Sequence, residues 1–359
     1  MLDFWKGKRI LVTGHTGFKG SWLSEMLLLA GAEVTGYALT PPTEPSLFQI
    51  LGLEKRMRSF TGDVRDLSHL REIFDLTKPE YVIHLAAQPI VRTSYEEPVL
   101  TYETNVTGTV HVCECVRLSD TVRSFLNVTT DKVYENRELG TAFRETDPLD
   151  GYDPYSNSKS CSELVTHSYR KSFLEAAGVA VSTARAGNVI GGGDFSRDRI
   201  IPDCVRAAER GEPLVLRNPA SVRPYQHVLE PLSVYLEILR RQAEEPALAG
   251  AYNVGPDLRD CVRTGDLAKL FAAHWGDGFR IEERPDGGPH EAGFLRLDCT
   301  KLKAAFGWNP RWHIGEAVEK TVAWSRAWLS GKDMREETDR EIEAFFRAEE
   351  RTDTEKQNV

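Results

Sequence analysis

The chain has 359 residues, 41% hydrophobic and 28% charged, and its 45 basic against 54 acidic side chains leave a net charge of −9. That length makes one large or two modest domains with a sizeable core, and the acidic balance excludes the basic face a nucleic-acid binder needs. No apolar run is long enough to span a bilayer, the six cysteines are scattered as expected of reduced thiols, and "MLDFWKGKRILVTG" enters a strand too early for a signal sequence, so a cytoplasmic protein with no membrane partner is expected.

In chain order, the spacing predicts a strand at 9–14 ("RILVTG"), a helix at 20–32 and a strand at 33–39, then a Pro-rich loop. A strand at 57–63, a helix at 67–79 and a strand at 81–87 follow. Next come a helix at 104–118, a strand at 124–130, a helix from Pro154 to about Phe173 and a strand at 179–187. Apolar strands alternating with helices are the pattern of a parallel sheet covered on both faces. The fold class read from this is α/β, a Rossmann-like doubly wound parallel sheet.

After Gly187 the rhythm breaks into a stretch rich in glycine and charge, "NVIGGGDFSRDRIIPD". This is read as the start of a smaller C-terminal substrate-binding lobe, with the ligand cleft between it and the sheet. The expected division places 1–188 and about 226–255 in the cofactor domain, and about 189–225 and 256–335 in the lobe. Residues 336–359 are read as a charged, partly disordered tail, with "MREETDREIEAFFRAEE" as a solvated helix.

"VTGHTGFKG" sets Gly14, Gly17 and Gly20 between one strand and one helix. A dinucleotide needs this arrangement: a tight turn, close backbone approach to a pyrophosphate, and a helix N-terminus aimed at it. The acid that usually follows about 20 residues later to grip the adenosine ribose is missing, since Glu33 comes too early and Ala38, Leu39 and Thr40 occupy its place. NAD is therefore the expected cofactor with NADP not excluded. Asp63 in "TGDVRD" suits either an adenine amino group or a turn cap.

"YSNSK" places Tyr155 and Lys159 on one face of a helix, where an ammonium beside a phenol favours the phenolate and so makes Tyr155 a base for an alcohol proton. Thr130, ending the strand before that helix, offers a hydroxyl to the same oxygen. Asn188, Arg199, Arg217 and Arg223 are the candidate phosphate ligands, the arginines through bidentate contacts. His84 is read as structural or near the cofactor.

The glycine triplet, "HLAAQ", "TNVTGT", "TTDK", "YSNSK" and "RAGNVIGGGD" together resemble the extended short-chain dehydrogenase/reductase family. "GHTGFKGSWL", "AAQPIVRTSY", "DPYSNSKSCSELV", "RNPASVRPYQHVLEPLS" and "PHEAGFLRLDCTK" are similar, more narrowly, to its bacterial CDP-glucose 4,6-dehydratases, over about Trp5 to Met334. The resemblance implies a nucleotide-diphosphate hexose as substrate, CDP-glucose first, and an internal redox cycle: C4 oxidation, loss of water across C5 and C6, and hydride return to C6. It also implies Asp131 as acid for the departing hydroxyl and Lys132 as base for the C5 proton, where related dehydratases carry an Asp-Glu pair.

Further cofactor contacts are implied at Thr16, Phe18, Val64, Leu85, Ala86, Ala87 and Asn105, further substrate contacts at Gln88 and His290, and a homodimer or homotetramer as the assembly. The sequence departs from the family pattern in three places. Leu139 to Glu145 lacks the tryptophans of a "W-x-W-G-Y-R-E" segment near the sugar or base, Tyr225 replaces a tryptophan, and Thr130 replaces a serine. The alternatives are a dehydratase or epimerase for another nucleotide sugar, or a non-catalytic dinucleotide sensor.

Overall fold

The computed structural model describes residues 2–137, 140–276, 278–284 and 294–357, with side chains described to Arg347. The strands are β1 (Arg9–Thr13), β2 (Glu33–Ala38), β3 (Arg58–Thr61), β4 (Tyr81–His84), β5 (Ser124–Val128), β6 (Ala180–Ala186), β7 (Val189–Ile190), β8 (Leu214–Leu216), β9 (Val222–Pro224), β10 (Gln226–His227), β11 (Ala251–Val254), β12 (Cys261–Arg263) and β13 (Ile281–Glu283). Seven of them build one sheet in the order β11-β6-β5-β4-β1-β2-β3, with every pairing parallel.

Strand residues alternate between two cores. Leu11, Val82, Phe125 and Val181 face the helices Leu67–Thr77, Gly108–Leu118 and Pro154–Tyr169, packing with Leu70, Phe74, Val112 and Val116. Ile10, Val12, Ile83, Leu126 and Val128 face the helices Phe18–Leu29 and Leu229–Glu244, packing with Trp22, Leu23, Leu232 and Leu236. Covered faces on both sides are why these strands are apolar at nearly every position, each buried aliphatic side chain contributing ~1.5–3 kcal/mol. The expected doubly wound sheet is what forms.

From β1 the chain winds outward through β2 and β3, whereas from β4 it winds the other way through β5, β6 and β11. The segments leaving β1 and β4 diverge, and a crevice opens at the C-terminal ends of these neighbours, where such sheets bind ligands. β11 and the Leu229–Glu244 helix were not anticipated as individual elements. Both return to the sheet after a long excursion, which periodicity within a short window does not report.

That excursion and the segments after β11 together build a third core of Ile201, Cys204, Leu214, Leu216, Leu267, Phe271, Val318 and Val322. It unites the helices Ile200–Arg210, Thr264–Trp275 and Ile314–Leu329 with the two-stranded pairs β13-β8 and β12-β9. Its entry turn is gripped from two sides. Trp22 Nε1 donates to the Gly192 carbonyl at 2.9 Å, and a Cβ on Gly192 would lie 2.1 Å from the Trp324 ring.

The C-terminal segment is more than a solvated helix. Met334–Gln357 is helical, and Met334, Ile342 and Phe345 are buried, the Phe345 ring meeting Trp312 edge-on at 5.0 Å. Thr338 accepts from Trp324 Nε1 at 3.0 Å. These four residues share a narrow stripe at helical spacing, which the surrounding charges mask in composition. No helix among the described residues is long and apolar enough to cross a membrane. All six cysteines are free thiols, four of them buried.

Candidate active site

Gly14 leaves β1 at φ +77° and gives its N–H to Tyr37 O at 2.9 Å. A Cβ there would lie 2.7 Å from Ala86 N, and one on Gly20 would lie 2.2 Å from Gly14 O. The first glycine thus lets the turn pass against the loop after β4, and the third lets the Phe18–Leu29 helix press onto the turn. Gly17 is the N-cap and no side chain caps the helix, so its first turn directs uncapped N–H groups toward the crevice, a cradle for a pyrophosphate. Thr16 lines the cleft and donates to Leu39 O at 2.9 Å.

The cleft holds about 1440 Å³, and Gly14, Thr16, Gly17, Phe18, Gly20, Asp63, Val64, Leu85, Ala86 and Ala87 all line it. At its β2 end, Leu39, Thr40 and Glu44 line the wall. Asp63 accepts from Arg65 N at 2.9 Å and from the Arg65 guanidinium at 2.7 Å, which holds its carboxyl below the usual range. Of the two readings for Asp63, the turn cap is therefore occupied, on a residue that still faces the cleft. Arg65 also pairs with Glu103 at 2.9 Å.

Asn105 and Gln88 do not line the cleft as expected. Asn105 is buried, accepts from Gln88 N at 2.9 Å and donates to Ser158 Oγ at 2.9 Å. The Gln88 amide donates to Thr101 Oγ1 at 2.8 Å and accepts from Ile90 N at 2.7 Å. Both pin the loop that follows β4, because a polar backbone turn this deep needs internal partners. His84 is structural: it lies between Thr13 Oγ1, at 2.7 Å, and Thr109 Oγ1, and burial lowers its pKa to about 3.

The candidate catalytic residues meet where β5 reaches the Pro154–Tyr169 helix. Asp153 caps that helix by accepting from Ser156 N, and Pro154 occupies the first turn. This points Tyr155 and Lys159 at the end of β5, where Thr130, Asp131 and Lys132 form a short turn lining the same cleft. Thr130 Oγ1 donates to Asp131 Oδ1 at 3.0 Å and lies close enough to Tyr155 to favour its phenolate. Lys132 Nζ lies 3.4 Å from the same carboxylate oxygen, and Asp131 Oδ2 is buried without a hydrogen-bond partner among the described residues.

Burial pushes the Tyr155 phenol up to about 12, opposed by Thr130 and by the Arg199 charge. The Lys159 ammonium donates to the Val128 carbonyl at 3.2 Å. Burial lowers the Lys159 pKa to about 8 against the opposing charge of Glu163. Glu163, four residues on, is itself buried and accepts from Thr129 at 2.5 Å, Thr183 at 2.8 Å and Arg185 at 2.9 Å. The i, i+4 spacing to Lys159 was a legible signal for it.

Asn188, Arg199, Arg217 and Arg223 converge on the cleft as expected. Arg217 pairs with Asp198 at 2.7 Å, Arg199 approaches Asp194 at 3.9 Å, and the Asn188 side-chain oxygen Oδ1 is buried without a hydrogen bond to a described residue. His290 and Leu139 lie outside the described residues. Of the rest of the altered segment, Phe143 stacks on Tyr134 with centroids 4.9 Å apart and bonds through its N–H to Arg296 O. It packs a small core with Leu297 and Cys299 and does not line the cleft. Tyr225 does line it, its hydroxyl 3.1 Å from Thr264 Oγ1.

One residue was missed altogether. Lys19, the second residue of the glycine-loop helix, lines the cleft with its Nζ 5.9 Å from the Tyr235 ring centroid. Burial and the neighbouring charges of Arg199, Lys159 and Lys132 lower its pKa to about 7, with Asp131 opposing. "GFKG" showed the lysine, but a glycine pattern says nothing of where the side chain between them points.

Residues 11–321 match the family described as GDP-mannose 4,6 dehydratase. The chain is 47% identical over 352 residues to the CDP-glucose 4,6-dehydratase of Salmonella typhimurium, covering 96% of this chain and 98% of that protein. It is 31% identical over 333 residues to a probable dTDP-glucose 4,6-dehydratase of Sinorhizobium fredii, covering 88% and 92%. Among solved structures, UDP-glucose 4-epimerase of Thermus thermophilus in complex with NAD superposes with a TM-score of 0.77 at 28% identity, over 89% of this chain and 99% of that one. The dTDP-glucose 4,6-dehydratase of Bacillus anthracis, at 21% identity and a TM-score of 0.76 over 91% and 99%, shares the fold. Cleft, glycine turn and the turn of Thr130 to Lys132 thus occur on a chain that belongs to the GDP-mannose 4,6 dehydratase family.

Proposed function

We propose that the protein is an NAD-dependent CDP-glucose 4,6-dehydratase, a hydro-lyase that makes CDP-4-keto-6-deoxyglucose. The observation that carries this reading is the acid and base of Asp131 and Lys132 beside the alcohol-activating Thr130 and Tyr155, in one cleft. An enzyme that only oxidises or epimerises C4 has no leaving hydroxyl to protonate there. The 47% identity to a CDP-glucose enzyme over nearly the whole chain supports the choice of nucleotide.

The cleft suits a dinucleotide by its glycine turn and uncapped helix. Arg65, the cation by the β2 end, is held between Asp63 and Glu103, an arrangement that favours NAD over a 2′-phosphorylated form. When bound, NAD accepts the hydride of C4 and returns it to C6. Tyr155 takes the C4 hydroxyl proton, and Thr130 holds the same oxygen. Lys132 takes the C5 proton, which the new C4 ketone acidifies, while Asp131 protonates the C6 hydroxyl so that it leaves as water. Lys132 then returns its proton to C5.

Over the cycle Tyr155 gains one proton and Asp131 loses one. Thr130, bonded to Asp131 and close to Tyr155, offers a route by which the proton taken at C4 resets the acid. Asn188, Arg199, Arg217 and Arg223 hold the diphosphate in this reading, Arg217 by exchanging Asp198 for phosphate oxygens. Exposed Val99, Leu118, Leu164 and Phe173 on neighbouring helices support pairing with a second copy of the chain.

The test is incubation of the purified protein with NAD and, separately, CDP-, dTDP-, UDP- and GDP-glucose, with product masses read for loss of one water. Dehydration of CDP-glucose is expected. Absence of a dehydrated product from all four would overturn the reading, and preference for another nucleotide would overturn its substrate.

A further inference from the structure

Lys19 is used by none of the steps above, yet its ammonium lies at the reacting end of the cleft. The helix N-terminus on which it stands faces the pyrophosphate cradle, but the charges within reach of its side chain are Arg199, Lys159, Lys132 and Asp131. Its Nζ is 5.9 Å from the ring of Tyr235, a buried residue on the Leu229–Glu244 helix that itself feels the charge of Tyr155. No carboxylate of a described residue lies within ion-pair distance of it. Asp131 is the anion that favours its charged form.

Hydride transfer requires the accepting ring to lie about 3–3.5 Å from the carbon whose hydroxyl meets Tyr155. A dinucleotide running from the Gly14–Gly20 turn to Tyr155 therefore brings its nicotinamide into the neighbourhood of Lys19. That ring is cationic when oxidised and neutral when reduced, so a nearby ammonium repels one form and not the other. Resting on the dehydratase reading, we infer that Lys19, in its protonated form, shifts the redox balance of the bound nicotinamide toward its reduced form. The two half-reactions give this a purpose. Removing a hydride from a secondary alcohol is uphill, whereas delivering one to a conjugated C5=C6 bond is downhill, and a cation beside the ring evens them.

The pyrophosphate is common to both forms of the cofactor, so any attraction between it and Lys19 cancels in the ratio of their dissociation constants. The experiment measures that ratio in the full-length protein, NADH by its fluorescence and NAD⁺ by competition, without substrate. Lys19→Met should lower Kd(NAD⁺)/Kd(NADH) about tenfold, which is ~30 mV for a two-electron couple. Lys19→Arg should keep the wild-type ratio, and Lys19→Gln serves as the neutral variant if the methionine form does not fold. An unchanged ratio in a neutral variant that binds both nucleotides overturns the role of Lys19 and leaves the dehydratase reading intact. Failure of the wild type to bind either nucleotide overturns both.

Discussion

In the proposed reaction Lys132 carries the step that separates elimination from oxidation, and its effect can be isolated. Lys132→Met is expected to leave C4 oxidation in place and lower dehydrated product by about 10²–10⁴-fold, the usual contribution of a positioned acid or base. Near-ultraviolet absorbance of the reduced nicotinamide, read beside product mass, separates the two outcomes. Turnover that persists unchanged would remove Lys132 from the reaction. Its neighbour Asp131 was legible for the same reason as Lys132: consecutive residues in a turn after a strand keep their relation whatever the rest of the chain does. Lys19 was not legible, because its neighbours in space come from β5, the Pro154–Tyr169 helix and the loop around Arg199.

Among the elements, β5 and the Pro154–Tyr169 helix depend on a buried charge pair. Arg185 on β6 and Glu163 on the helix are each 4% exposed, with Tyr134 and Thr129 completing their hydrogen bonds. Glu163→Gln leaves the guanidinium without its anion and should cost ~3–5 kcal/mol in urea unfolding, while Glu163→Gln with Arg185→Met recovers most of it. Wild-type stability in the single variant would show that the pair does not hold the site together. The parallel strands themselves were readable from sequence, since burial on both faces leaves continuous apolar runs. The short pairs β12-β9 and β13-β8 were not, because each strand has three residues and its partner lies 37 or more positions away. Asn105 and Gln88 misled for a related reason: polar residues in a family motif near a cleft can serve the loop that shapes it.

For the whole molecule, the response to acid is a sum of opposing groups. Burial holds His84 at about 3 and His15 at about 4, so the unfolded chain binds protons that the folded one refuses below pH 6.5, and stability contributed by the neutral rings falls as pH drops. Buried Glu230, raised to about 7, works the other way, as does Asp339 beside Glu25: their folded forms keep protons above the ordinary carboxylate range and gain stability as pH falls. The wild-type unfolding midpoint should therefore move little between pH 7.5 and 5. His84→Asn, by removing one side of the balance, should have its stability deficit shrink by about 2 kcal/mol over that interval. Urea melts at both pH values check it, and a deficit independent of pH would mean that His84 does not titrate as its burial implies.

The grip on Gly192 has a consequence for how the enzyme lets go of what it binds. Trp22 belongs to the helix that cradles the cofactor and Trp324 to the helix that backs the lobe, so the turn between them is the pivot of a door. A rigid leaf tied at its hinge moves least beside the pin and most at its outer edge. Arg217 and Arg223 follow the turn in the chain and line the cleft from beyond it, while Tyr155 and Asp131 line it from the turn after β5 and the helix that follows. In the proposed reaction, opening about this turn would unclasp the diphosphate before the sugar end is disturbed, and a half-processed hexose would stay with its acid and base until the handle is released.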